Sequence, residues 1–120
     1  MNDPVQIGAQ AAAARLADEH GAHLLAEVDR ALYTRGRSQQ PDQYVVDPVS
    51  IGALIVSIAT LAWTVYTDLK TKAPNPSADV IARTVRVRLD PPAKVDADQR
   101  DRIIEVTVAE TVRAARDNTS

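Results

Sequence analysis

The chain has 120 residues, 45% of them hydrophobic and 25% charged, with a formal net charge of −2. That size holds one small domain, or one span with small soluble parts, and the charge gives no general pull toward nucleic acid. With no cysteine, disulfides, thiolate metal sites and thiol nucleophiles are excluded, and with no Phe and only four other aromatics the apolar mass is Ala, Val, Ile and Leu, which suits helical packing better than an aromatic β core.

The N-terminus reads M-N-D-P-V-Q, without a basic region or an early apolar run, so a cleaved signal peptide is not expected. Segment 1–34 is expected to form an amphipathic helix starting at Asp3-Pro4. Ala12, Leu16, His20, Leu24, Val28 and Leu32 recur every four residues, flanked by Ala9, Ala13, Ala17, Leu25 and Ala31. Gly21 predicts a kink, or a break into two shorter helices. Arg15, Asp18, Glu19, Asp29 and Arg30 fall opposite the apolar seam and read as a solvated face. Residues 35–46 are a polar linker, with Gly36 as a helix stop and Pro41 preventing continuation.

The stretch 47–72 dominates the chain. Asp47 is a good N-cap and Pro48 fits the first turn, where its missing N–H costs nothing. No charged side chain occurs from Pro48 to Thr67. Twenty helical residues rise about 30 Å, the thickness of a bilayer's hydrocarbon core. Trp63 and Tyr66 lie near one end, with Lys70 and Lys72 beyond, the order of a membrane-interface anchor. Around the circumference, Ile51, Leu54, Ile55, Ile58, Leu61, Ala62, Val65 and Leu69 make an aliphatic face. Ser50, Ala53, Ser57, Thr60, Thr64 and Thr67 make a second stripe of small and hydroxyl side chains at steps of three and four. The expected helix–helix interface comprises Ser50, Ala53, Ser57, Thr60 and Thr64 with Ile51, Ile55, Ile58 and Val65, because small residues let backbones approach and hydroxyls bond across helices or back to their own carbonyls. Two readings stand: a single membrane span, which the pattern favours, and a soluble bundle with 48–69 as its buried core helix.

Residues 73–77, A-P-N-P-S, form a short stiff linker, and Ser77 is a natural N-cap. A C-terminal helical pair is expected over 78–117. Val80, Ile81, Thr84, Val85, Arg88 and Leu89 share a helical face, although T-V-R-V-R-L also alternates as a strand over 83–89 would. Asp90-Pro91-Pro92 ends this element. Asp96, with Gln99 completing a capping box, opens the last helix, where Ile104, Val108 and Val112 line one side beside Ile103, Thr107, Thr111 and Ala115. The run I-I-E-V-T-V invites a strand reading too, but nineteen residues without Gly or Pro from Asp98 to Arg116 favour helix. Asp98 with Arg102, and Glu110 with Arg113, are spaced to pair along that helix.

Little in the chain suggests catalysis. His20, His23, Glu19 and Glu27 are the one metal-like cluster, and a single helix rarely converges enough ligands. Packed at a helix interface, His20 would make association weaken as the imidazole gains a proton. The phosphate-binding glycine patterns are absent, and Ser50, Ser57 and Thr60 lack a glycine elbow or a nearby histidine. Arg83, Arg86 and Arg88, with Lys70, Lys72 and Lys94, make the C-terminal half locally basic. No aromatic is interleaved for base stacking, so the reading is a solvated face, or anionic head groups if the span inserts. The sequence thus predicts a mainly α, non-enzymatic protein without cofactor or small-molecule substrate. It is a membrane-anchored adaptor or oligomer-forming subunit that engages a protein partner or itself, or else a soluble homo-oligomeric binding module in the cytoplasm. A small pore-former built from oligomerised central helices is a third possibility.

Overall fold

The computed structural model describes residues 4–37, 51–72, 76–89 and 97–119. Among them are five helices and no strand: α1 (Pro4–His20), α2 (Leu24–Arg37), α3 (Ile51–Lys70), α4 (Ala78–Arg88) and α5 (Ala97–Thr119). The Asp47–Pro48 start, the linker centres at 38–46 and 73–75, Lys94 and Asp96 lie outside the described residues.

The N-terminal helix breaks where Gly21 adopts φ 102°, the left-handed region that L side chains avoid. The Gly21 N–H closes α1 on the Ala17 carbonyl at 2.8 Å, and the Leu24 N–H opens the next helix on the Gly21 carbonyl at 3.1 Å. The seam read from the sequence is inward: Ala12, Leu16, Leu24 and Val28 are buried, with His20 and Leu32 half-buried. Gln10 Nε2 donates to Asp29 Oδ1 at 3.1 Å across the α1–α2 hairpin.

The helix expected after Ser77 is present as α4, and the alternative of a strand over 83–89 falls. Ser77 Oγ accepts from the Val80 N–H at 3.2 Å and caps a helix. Helical spacing buries Ile81 and Val85, whereas a period-two strand would have buried Val87 beside Val85, and Val87 is 81% exposed. Over 103–108 the chain is likewise helical. Ile103, Ile104, Val106, Thr107 and Val108 are all buried in α5, more of its circumference than a strand face covers.

The core is one cluster drawn from every helix. α3 packs against α1, α2, α4 and α5, and the most extensive contact joins α1 to α5, the first and last helices. Two glycines set the closest approaches. A Cβ on Gly8 of α1 would lie 2.6 Å from Thr111 Cα of α5, and one on Gly52 of α3 would lie 2.7 Å from the Glu27 carbonyl carbon of α2. Without those hydrogens-only positions the helix backbones could not meet at these distances.

Candidate interaction surface

The central helix has two unlike faces, and the fold assigns them. Ile55, Ile58, Ala59 and Ala62 are fully buried, with Val56, Val65 and Tyr66 nearly so. Leu54, Leu61, Trp63 and Leu69 are half-buried around that face, and Ile51 at its start. Of the residues expected between helices, Ile55, Ile58 and Val65 are therefore in the core. Ala53, Ser57 and Thr64 are exposed, Thr60 is half-buried, and Ser50 lies outside the described residues. The hydroxyl stripe points away from the chain's own helices.

The stripe's threonine hydroxyls are turned back onto their own helix. Thr60 Oγ1 donates to the Val56 carbonyl at 2.8 Å and Thr64 Oγ1 to the Thr60 carbonyl at 3.0 Å. Thr67 Oγ1 donates to the Thr64 carbonyl at 2.9 Å, and Thr71 Oγ1 to the Asp68 carbonyl at 2.7 Å in the following turn. A threonine bonded this way has met its donor requirement and presents its methyl outward. The outer face is consequently less polar than its composition suggests.

The aromatic and basic residues at the C-terminal end of α3 form a local stack. The Trp63 and Tyr66 rings lie 6.0 Å apart and 18° from parallel, and Lys70 Nζ lies 5.7 Å from the Tyr66 ring centroid. Tyr66 is buried, Trp63 half-buried, and Lys70 and Lys72 exposed.

The other end of α3 is held by a residue that the sequence reading placed only in a metal-like cluster. Glu27 Oε1 accepts the Gly52 N–H at 3.2 Å, while Glu27 Oε2 lies 3.3 Å from His23 Nε2. Gly52 is in the first turn, where amides lack an intrahelical acceptor, so a carboxylate from α2 caps α3 and complements its dipole. The contact spans 25 residues of sequence, and no local signal announces it. Glu19, of the same cluster, pairs instead with Arg102 of α5. Among the described residues no group of three His, Asp or Glu side chains could hold a metal ion. His20 Nε2 is buried without a hydrogen-bond partner among the described residues.

Arg102, expected to pair with Asp98, and Glu110, expected to pair with Arg113, both reach α1: Arg102 to Glu19, and Glu110 Oε2 to Arg15 Nη1 at 2.8 Å. The basic run on α4 is exposed, with Arg86 Nε 3.3 Å from Asp101 Oδ1. A shallow depression of about 190 Å³ lies between α4 and α5, lined by Asp79, Ala82, Arg83, Arg86 and Glu105. It is smaller than the ~300 Å³ at which small-molecule sites begin, and its two acids offset its two arginines.

α3 is the one described helix long and apolar enough to cross a membrane; the core helix of a soluble bundle meets the same criteria of length and composition. The chain was compared with protein-family models, curated proteins and solved structures, and it matches none of them.

Proposed function

We propose that this chain is a non-enzymatic helical interaction module: a soluble, oligomer-forming subunit of a larger assembly, with α3 as its core helix. The observation that carries this reading is the engagement of α3's aliphatic face by four other helices of the same chain. Ile55 and Ile58 lose all contact with solvent there. Each buried aliphatic side chain of that size contributes about 1.5–3 kcal/mol relative to exposure. Inserting α3 into a bilayer would surrender those contacts and open the core cluster that α3 shares with the other four helices. The anchored form of the same role keeps only the apolar length of α3 and the Trp63–Tyr66–Lys70 end, and Tyr66 is 4% exposed in the bundle rather than available to head groups.

Partition tests the reading. The protein made without detergent is expected in the supernatant after carbonate extraction and ultracentrifugation, with a helical circular-dichroism spectrum. Quantitative recovery in the membrane pellet, released only by detergent, would transfer the role to a membrane-anchored adaptor.

A further inference from the structure

We infer that Gly21 is an exchange hinge: the corner between α1 and α2 opens into one continuous helix, and α1 docks on the body of a second copy of this chain, which returns its own. The inference rests on the soluble, oligomer-forming reading above and says how such a module would form its oligomer.

Three residues, Gly21 to His23, separate α1 from α2, and the corner depends on one of them. Among the described residues only Gly21 has a positive φ, 102°. The local sequence otherwise favours going straight on. No proline occurs from Val5 to Gln40, and the step of four that sets Leu16, His20, Leu24 and Val28 is the same on both sides of the corner. The start of α2 is weakly marked. Its first helical bond runs from the Glu27 N–H to the His23 carbonyl at 3.0 Å, so His23 holds the cap position that Ser, Thr, Asp or Asn would fill best. In a continuous helix over 4–37, the last carbonyls of α1 would accept from the first amides of α2. Groups that a helix end leaves without an intrahelical partner would then satisfy one another.

The contacts of α1 identify what takes its place. α1 buries Val5, Ala9, Ala12, Ala13 and Leu16, and its broadest contact is with α5, near the other end of the chain. Without α1, the other four helices stay joined to one another through α3. The site that α1 vacates selects that same helix. Thr111 Cα of α5 comes so near Gly8 that a Cβ there would lie 2.6 Å away, so a helix with a side chain at that position does not fit. One turn apart, Glu110 Oε2 meets Arg15 Nη1 at 2.8 Å, and Arg102 meets Glu19. The α1 of a second copy restores each of these, and the Gln10–Asp29 bond to α2 as well. Exchange therefore remakes every α1 contact between chains and alters only the corner.

Glycine sets the balance. It adopts φ 102° freely and weakens a helix interior, so it favours the closed corner on both counts. Docking across a three-residue link adds a high effective concentration in favour of the monomer. Alanine reverses both of glycine's preferences, and its Cβ would lie 2.8 Å from His23 Cε1 in the closed form. A swapped dimer contains two such corners, so the effect counts twice. Because α1 cannot leave without opening the shared core, monomer and dimer interconvert only slowly once folded.

Size-exclusion chromatography after refolding from urea, without detergent, tests the exchange. Wild-type chain refolded at about 0.5 mM, near the effective concentration of a short link, should yield a minor dimer that persists on dilution, and chain refolded at about 5 µM should yield monomer. Gly21→Ala should raise the dimer-to-monomer ratio at equal refolding concentration by about 100-fold or more, with the helical circular-dichroism signal retained. The chain has no cysteine, so a variant carrying Gln10→Cys and Asp29→Cys reports the topology. A short thiol-to-thiol crosslinker should join the two chains of the isolated dimer and close within one chain of the monomer. Dimers whose crosslinks stay within single chains overturn the exchange. A folded Gly21→Ala chain with no more dimer than wild type overturns the hinge. A wild-type chain that is monomeric at every refolding concentration overturns the proposal whether or not Gly21→Ala folds. All three results leave the soluble bundle standing, whereas a chain that needs detergent removes both.

Discussion

At the scale of single residues, the closest helix–helix contacts oppose local propensity. Alanine in a helix interior is favoured over glycine by ~1 kcal/mol, so propensity alone would make Gly8→Ala stabilising. The added Cβ would lie 2.3 Å from Thr111 Oγ1 and 2.6 Å from Thr111 Cα, and backbone cannot rotate aside as a side-chain tip can. α1 would have to back away from α5 along their extensive contact. Gly8→Ala is therefore expected to lower stability by about 1–3 kcal/mol in urea unfolding. The buried hydroxyls give the opposite sign. Thr107 Oγ1 and Thr111 Oγ1 are buried and make no hydrogen bond among the described residues. An unpaired buried polar group costs about 1–3 kcal/mol, and valine has nearly the same shape. Thr107→Val should raise the unfolding midpoint, by about 1 kcal/mol in free energy, and an unchanged or lower midpoint would show that the hydroxyl is bonded. The periodicity that placed Thr107 and Thr111 beside the apolar line of α5 was legible in the sequence. The role of Gly8 was not, since nothing near it in the chain states which helix will cross there.

At the scale of elements, what the sequence disclosed was periodicity and punctuation. The break at Gly21, the Ser77 cap and the aliphatic side of α3 each follow from residues within a turn or two of one another. Where a segment satisfied two periods, as T-V-R-V-R-L did, the tie was settled by what each arrangement buries, a tertiary fact. The outward direction of the Ser/Thr stripe was hidden for the same reason. A second polar-leaning face is equally consistent with lipid, a partner or water until the other helices take their places. Glu27 is the clearest instance: it reads as one acid among several, and only the fold delivers its carboxylate to Gly52. Elements also differ in how much they hold. Ile58 has no exposed surface on the helix that touches all others, so Ile58→Ala should cost about 2–5 kcal/mol. α4 contributes only Ile81 and Val85 as buried side chains, and removing its cap with Ser77→Ala should cost about 1 kcal/mol. Chemical denaturation of both variants checks the order; equal losses would mean that α3 is not the centre of the core.

At the scale of the whole molecule, connectivity decides how the chain comes apart. The surface ion pairs that bridge α1 and α5, Arg15–Glu110 and Glu19–Arg102, involve side chains of which one or both are substantially exposed. Pairs of that kind contribute between nothing and about 1 kcal/mol each, so they orient the contact more than they hold it. The hydrophobic cluster holds it, and that cluster is not divisible: α3 touches every other helix, and the helices nearest the two chain ends make the broadest contact. No pair of helices could leave without opening the core that the rest depend on. The radius of gyration, 13.4 Å, is close to the ~13 Å expected of one packed domain of about 100 residues. Unfolding should accordingly be a single cooperative step. The chain offers a direct check, because its one tryptophan, Trp63, lies half-buried on α3. Its fluorescence reports the environment of the central helix, while far-ultraviolet circular dichroism reports all five helices. The two urea transitions should superimpose in midpoint and slope. Helical signal lost ahead of the Trp63 transition would mean that outer helices detach while α3 keeps its surroundings, and α3 could not then owe its shelter from water to the bundle around it.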